Sequence, residues 1–411
     1  MYGAFRSLSS FNYRVWAAGA LVSNVGTWMQ RTAQDWLVLA HLTPNNATAL
    51  GVVTALQFGP QLLLLPLTGF TADRFERRRL LMATQGASGL LALGLGALTV
   101  AGTVELWHVY TFALLLGSVS AFDAPARHAF VSEMVGEAGL SNAVGLNSTS
   151  FNAARMIGPA LAGLLIAAVG TGSLFLINAA SFGAVLCSLA LLRTSELHRI
   201  ERTPPTRSGF ADGFRYVWAR PELKGVLLML FLIGTFGLNF RIFIATMSVT
   251  VFEGGPEQYG FLTSMMAVGS IMGALFSASR EKPRPVLLLA GVAAFGAACA
   301  LAAVMPTYVW FGAALVIIGL SVHTFTTSAN SFVQLSTEPF MRGRVLAILL
   351  AVSLGGTPLG SPVAGWVADT FGPRWSLGVG AAAGIAALIV GLLTFRERRA
   401  SRRHPRAGED P

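Results

Sequence analysis

Residues 47–79 read ATALGVVTALQFGPQLLLLPLTGFTADRFERRR. Residues 47–72 of this stretch carry no charge, and the next seven hold Asp73, Arg74, Glu76, Arg77, Arg78 and Arg79. A helix rising 1.5 Å per residue needs about 20 such apolar residues to cross a hydrocarbon core about 30 Å thick. The abrupt basic end has the character of a loop on the cytoplasmic side of a membrane. No stretch of the chain alternates like the strands of about ten residues that build a membrane barrel. Helices are then the way to satisfy the backbone in lipid.

The same pattern recurs outward from this stretch. Apolar helical runs are expected at 12–41, 47–72, 79–101, 106–131, 141–168, 172–193, 222–251, 257–279, 285–304, 307–333, 342–369 and 374–395. The composition agrees: 411 residues, 54% hydrophobic and only 12% charged, with a mean hydropathy of +0.62. Soluble domains carry about twice that charged share. The net charge of +10 is spread over short clusters between apolar runs, which speaks against a nucleic-acid partner. Basic residues also gather in the loop after the eighth run (Arg280, Lys282 and Arg284), in the loop after the tenth (Arg342 and Arg344) and in the tail from Arg396 to Arg406. The loops near Pro44, Gly102, Gly170, Gly254 and Pro306 carry none, and the last such loop has only Arg374. This alternation predicts an even number of spans with both termini in the cytoplasm. Cys187 and Cys299 both fall inside apolar runs and are read as packing residues, so no disulfide framework, metal or cofactor is expected.

The longest connection, 194–221, is polar, basic and broken by Pro204 and Pro205. Within it Phe210, Phe214, Val217 and Trp218 fall on one helical stripe, the pattern of a short amphipathic helix on the inner membrane surface. The connection divides the chain into 1–193, a six-helix bundle, and 222–395, a second one, followed by a basic cytoplasmic tail at 396–411. The halves resemble each other. At one fixed offset Phe130 and Val131 meet Phe332 and Val333, and Gly158, Gly163 and Gly170 meet Gly360, Gly365 and Gly372. "LGVVTAL" at the start of the second run also resembles "YGFLTSM" near the start of the eighth. Duplicated six-helix halves are a transporter architecture.

The segment GFTADRFERRR, Gly69 to Arg79, resembles the loop signature of the major facilitator superfamily, G-x-x-x-D-R-x-G-R-R. Gly69, Asp73, Arg74, Arg77 and Arg78 match, and Glu76 stands where the family has glycine. In FDAPARHAF, Asp123 and Arg127 are i, i+4 neighbours. The resemblance implies that Asp123 joins Asp73 and Arg77 in a latch holding the halves together on the inner side. RMIGPALAG partly matches an exporter signature, G-P-x-x-G-G, through Gly158, Pro159 and Gly163, with Ala162 in place of one glycine. Gly and Pro there allow a helix kink or close packing. SNVGTWMQRTAQDWLVL together with FDAPARHAFVSEMV looks like the branch of the superfamily that contains enterobactin-type siderophore exporters and drug-efflux proteins, the transmembrane secretion effector family. What the resemblance implies is an all-α membrane protein of twelve transmembrane helices in two pseudo-symmetric bundles.

Polar residues at membrane depth mark the pathway. Asn24, Trp28, Arg31 and Asp35 share a stripe of the first helix, flanked by Gln30 and Gln34. Asn152, Arg155 and Pro159 share a face of the fifth. Arg241 lies deep in the seventh, and His323, Thr324 and Thr327 on the tenth. Each buried charge costs about 2.5–3.5 kcal/mol even on lenient scales, so it must line a pathway or pair. Arg31 and Asp35, one turn apart, are expected to pair. His323 taken alone reads as a structural residue. Three deep arginines against one deep acid favour an anionic or acid-bearing substrate, and Asp35 is the leading proton-coupling candidate. The chain has no paired carboxylates at catalytic spacing, no metal-ligand cluster and no nucleophile beside a base, so it is not expected to be an enzyme. The expected function is proton-coupled export of a small organic molecule across the bilayer of a bacterial plasma membrane, by a monomer. An importer or facilitator of the same fold, or a non-transporting sensor, are the rivals.

Overall fold

The computed structural model describes residues 5–64, 67–68, 71, 74–198, 210–278 and 285–403. Two six-helix bundles stand side by side. The first comprises α1 (Phe11–Trp36, continued by a π-helical turn Leu37–Leu42), α2 (Ala47–Leu63), α3 (Arg77–Val100) and α4 (Leu106–Glu137). It is completed by α5 (139–169) and α6 (171–190), which share one helical path broken at Gly170. The second comprises α7 (Pro221–Val251), α8 (Pro256–Ala278), α9 (Pro285–Ala303), α10 (Tyr308–Leu335), α11 (Arg342–Phe371) and α12 (Pro373–Arg403). Among the described residues, nine helical stretches are long and apolar enough to cross a membrane, one of them holding both α5 and α6. The remaining two spans are α2, which is short, and α1, whose polar stripe lowers its hydropathy.

Local chemistry sets the boundaries. Ser10 caps α1 through Tyr13 N, and Asn46 caps α2 by accepting from Ala49 N at 2.8 Å. Four helices of the second half, α7, α8, α9 and α12, open on proline, whose missing N–H costs nothing in a first turn. Gly170 (φ +78°) and Gly372 (φ +102°) turn the chain at equivalent places in the two halves, a conformation that suits a residue without Cβ. Helix α12 runs to Arg403, past the expected end at 395. The charged residues that follow Phe395 are good helix formers and simply continue the rod.

Large apolar side chains such as Leu90, Leu164, Leu275 and Leu393 stand exposed on the outside of the bundles, where lipid rather than water is their solvent. The linker helix, Phe210–Trp218, docks beside α11. Its Val217 is buried, Tyr216 Oη accepts from Glu338 N at 3.1 Å, and Arg220 pairs with Glu338. Phe214 and Trp218 stack at 5.3 Å and remain exposed, the disposition of an interfacial helix. Pro204 and Pro205 lie outside the described residues. The face carrying Arg6–Ser9, the last turns of α12 and this helix is called the linker face below, and the other the opposite face.

Candidate functional site

The two halves meet along two glycine seams. A side chain at Gly51 of α2 would strike the backbone of Ser361 and Pro362 on α11, and one at Gly365 would strike Ala47 and Thr48. On the other side of the molecule, a side chain at Gly163 of α5 would strike Pro256 and Glu257, and one at Gly260 would strike Pro159 and Gly163. These residues come from the internal repeats. Gly163 and Gly365 are partners in the fixed-offset alignment, and Gly51 and Gly260 sit in the two similar segments of α2 and α8. Gly158 also packs on Trp28 of α1. The Gly158, Pro159 and Gly163 motif therefore serves close approach of helices. The backbone keeps helical dihedrals through Pro159, the non-helical points of the path that runs through α4, α5 and α6 being Gly136 and Gly170.

Charge crosses the same boundary. Asp35 Oδ2 accepts from Arg241 Nε at 2.9 Å and from Tyr259 Oη at 2.8 Å. Arg241 Nη2 bonds the other carboxylate oxygen, and Arg241 Nη1 donates to Gln57 Oε1 at 2.7 Å. The four residues come from α1, α2, α7 and α8, two from each half. Asp35 is only 2% exposed and Arg241 19%. A bidentate guanidinium–carboxylate pair with a further donor is the arrangement in which two buried charges satisfy one another. The backbone aims Arg241. Helix α7 changes to a π turn at Ile233–Gly237 and restarts at Phe240. Asn239 at the break is held by Ser361 Oγ at 2.8 Å and donates to Thr235 O at 2.7 Å. Asp35 itself sits just before the π turn that ends α1.

This corrects the expected pairing of Asp35 with Arg31. Arg31 turns away, its guanidinium lying 4.9 Å from the Trp28 ring centre and 5.8 Å from that of Phe58. Its Nε is buried without a hydrogen-bond partner. Position i+4 on one helix lost to a bidentate partner on a facing helix, because Arg241 lays its Nε–Nη2 edge side-on against both carboxylate oxygens and Arg31 must bend along its own helix. Trp28 meets Phe151 of α5 edge-on at 5.8 Å. Arg155 of α5 points at His323 of α10, with Nη1 and Nη2 both 3.4 Å from Nε2. Asn152 bonds its own helix at Ser148 O, 2.8 Å, and Thr327 lies half-buried one turn beyond His323. Gln30 Oε1 accepts from Asn178 at 2.5 Å, while Gln34 Nε2 is buried without a partner.

The expected latch divides. Gly69 and Asp73 lie outside the described residues. Arg77 pairs with Glu133 at 2.7 Å and not with Asp123, because antiparallel α3 and α4 bring those two groups to different levels. Asp123 is level with Thr84 and Gln85, which donate to it at 2.7 and 2.6 Å, and it pairs with Arg127 at 2.7 Å. Arg127 also reaches Asn24 at 3.5 Å. Arg78 donates to Leu189 O and Ala190 O at 2.8 and 3.2 Å, covering the last carbonyls of α6. These contacts tie the first bundle to itself. Arg74, too, has an interaction of its own.

At the opposite face, Asp369 of α11 accepts from Ala47 N at 2.7 Å, Thr48 N at 2.8 Å and Thr48 Oγ1 at 2.5 Å. It thus caps α2 across the boundary between the halves. Sequence reading missed Gln57, Tyr259, Glu133 and Asp369. Gln57, a polar residue inside an uncharged run, was the clearest signal available. Among the described residues, the hydrogen bonds and ion pairs that join the halves run from the middle of the bundle to the opposite face, where the halves are closed on each other.

A family model described as transmembrane secretion effector matches residues 3–407. The chain is 27% identical to the staphyloferrin A transporter of Staphylococcus aureus over 354 residues, covering 85% of this chain and 87% of that one. It is 27% identical to the multidrug efflux pump Tap of Mycolicibacterium fortuitum over 366 residues, covering 86% and 88%. In fold it superposes on a bacterial homologue of the human lysosomal transporter Spinster, crystallised inward-facing and unoccupied, with a TM-score of 0.76 at 15% identity, covering 94% of this chain and 97% of that one.

Proposed function

This chain belongs to the transmembrane secretion effector family of the major facilitator superfamily, a multi-pass membrane transporter that exports small molecules, and from that membership we propose that its cargo bears an acid group and that a proton gradient drives it. The observation that carries the cargo reading is Arg31. Its guanidinium rests between the faces of Trp28 and Phe58, and no hydrogen bond or ion pair to it exists among the described residues. The nearby acid, Asp35, is already occupied by Arg241 and Tyr259. A cation on aromatic walls, at a depth where charge is costly, is completed by an anion brought from outside the protein. Arg155 adds a second positive group with no acid partner among the described residues.

The linker face, with its basic loops, is taken as cytoplasmic. The conformation described, closed at the opposite face, then has its pathway directed at the cytoplasm, where an exporter loads. Rocking of the two bundles about the glycine seams would transfer the site to the other side. The driving force per charge moved is about 2.3 kcal/mol per 100 mV. The chain works in a bacterial plasma membrane as a monomer in this reading.

Purified protein in oriented proteoliposomes with an imposed pH gradient tests both parts. Transport of an aromatic carboxylate out of the linker-face compartment is expected, and Arg31→Gln is expected to raise its KM about tenfold or more while leaving the folded state intact. A preference for cationic dyes, or an Arg31→Gln variant with unchanged KM, overturns the acid-cargo reading. Transport indifferent to the gradient overturns proton coupling.

A further inference from the structure

Arg155 and His323 meet in the middle of the membrane, from α5 of one half and α10 of the other. A guanidinium has donors only. With two of its nitrogens on one ring nitrogen, His323 Nε2 must offer a lone pair, and the ring is the neutral tautomer carrying its proton on Nδ1. A proton on Nε2 removes the only acceptor and places cation against cation. The contact therefore reads the protonation state of a single atom.

The surroundings leave that reading unopposed. Helix α10, 308–335, contains no Asp, Glu, Lys or Arg. Of the elements packed on it, α9 offers only Cys299. Helix α8 carries Glu257 and Tyr259 at its opposite-face end, Tyr259 being bound to Asp35. Helix α7 carries Glu222 and Lys224 at the linker face, and its Arg241 is held by Asp35. Helix α11 carries Arg342 and Arg344 at the linker end and Asp369 at the other, where it caps α2. Arg155 is the charged group that His323 feels. Both residues are half-buried, within reach of water in the pathway. Arg155 Nε is buried with no partner, so the His323 contact is what holds this side chain across the boundary.

We propose that His323 is the site that carries the coupling proton and that Arg155 converts its protonation into separation of α5 from α10. In the conformation described, the contact is made and His323 Nε2 is unprotonated, the form in which an exporter has delivered its proton to the linker side and is ready to load. When the opposite face opens, a hydronium ion from that side gives its proton to the Nε2 lone pair, forming N–H and leaving water. Return of Arg155 toward α10 expels that proton to water on the linker side. Asp35, which the sequence favoured for this role, serves instead as a pin between the halves.

The proposal rests on the proton-driven reading above, so its test uses conformation as well as transport. Spin labels at Val169 and Val304, both exposed at the opposite face, report the distance between halves in a chain whose Cys187 and Cys299 are replaced by alanine. Between about pH 8 and pH 5, the range a histidine spans, the fraction open at the opposite face is expected to rise by roughly tenfold. His323→Gln keeps an acceptor for Arg155 and cannot carry a proton, so its distances are expected not to respond to pH. Arg155→Gln, which removes the cation that reads the proton, is expected to lose the response as well. A pH response in His323→Gln equal to that of the parent, or a parent with no response, overturns the proposal. A response that His323→Gln abolishes, in a protein that moves no acid cargo, sustains His323 and sinks the cargo reading instead. In transport, His323→Gln is expected to retain cargo exchange and lose accumulation against a gradient, and retained accumulation also overturns the proposal.

Discussion

Asp35 accepts from two residues of the other half, and its neighbour on its own helix, Arg31, is left to aromatic faces. Removing one member of a buried pair leaves the other charge without compensation and costs roughly 3–5 kcal/mol, whereas removing both costs far less. Asp35→Asn is accordingly expected to lower the Tm of the detergent-solubilised protein markedly, and Asp35→Asn with Arg241→Gln to recover part of the loss. Thermal unfolding of the two single variants and the double variant measures the coupling. Additive losses would remove the pin. Glu76 offers the contrast. It pairs with Arg79 at 2.7 Å, but both side chains are largely exposed, and Glu76→Gln is expected to change the stability by no more than a surface pair does, about 0–1 kcal/mol, with a correspondingly small change in Tm.

At the scale of elements, what distinguishes α2 and α11 is that each supplies what the other lacks. Helix α2 has unpaired N–H groups in its first turn, and α11 brings Asp369 to them. Loss of such a cap costs typically about 1 kcal/mol, a several-fold change in an equilibrium. Asp369→Ala is expected to shift the label distances at Val169 and Val304 toward the open opposite face without abolishing expression. An unshifted distribution would mean that the cap does not bias the two states. The seam is more stringent. A Cβ at Gly365 would run into the backbone carbonyl of Ala47, and backbone cannot step aside as a flexible side chain can. Gly365→Val is expected to hold the opposite face open and to stop transport, with cysteine-reactive reagents reaching residues along the α2–α11 seam from that side. Normal transport by Gly365→Val would show the seam to be dispensable.

For the whole molecule, the contrast between basic loops and loops without Lys or Arg predicts that Thr194 faces the cytoplasm and that Asn45 and Gly254 face out. Single cysteines at these positions, probed in intact cells with a reagent that cannot cross the membrane, are expected to label at 45 and 254 and to stay unlabelled at 194. Labelling of 194 from outside would invert the molecule and with it the direction assigned to transport. The same inversion would place the closed face in the cytoplasm, so the topology and the loading step stand or fall together.

Apolar run length, the loop charges and the internal repeat determined the span positions and the two bundles. Those features are legible because they are local. A span is a run of residues along one helix, and a turn glycine such as Gly170 answers to its own φ. The partners of the buried charges were settled only by tertiary structure. From the first helix alone, Arg31 is the nearest cation to Asp35, and a separation of four residues is a sound reason to pair them. Arg241, more than two hundred positions away, won because a facing helix, broken just before it, presents the Nε–Nη2 edge of its guanidinium to both carboxylate oxygens. His323 was read as structural for the same reason, since nothing on its own helix is charged, and its partner arrives from the other half. Periodicity reports which face of a helix a residue occupies, and Coulomb attraction and hydrogen-bond geometry then act on whatever that face is packed against.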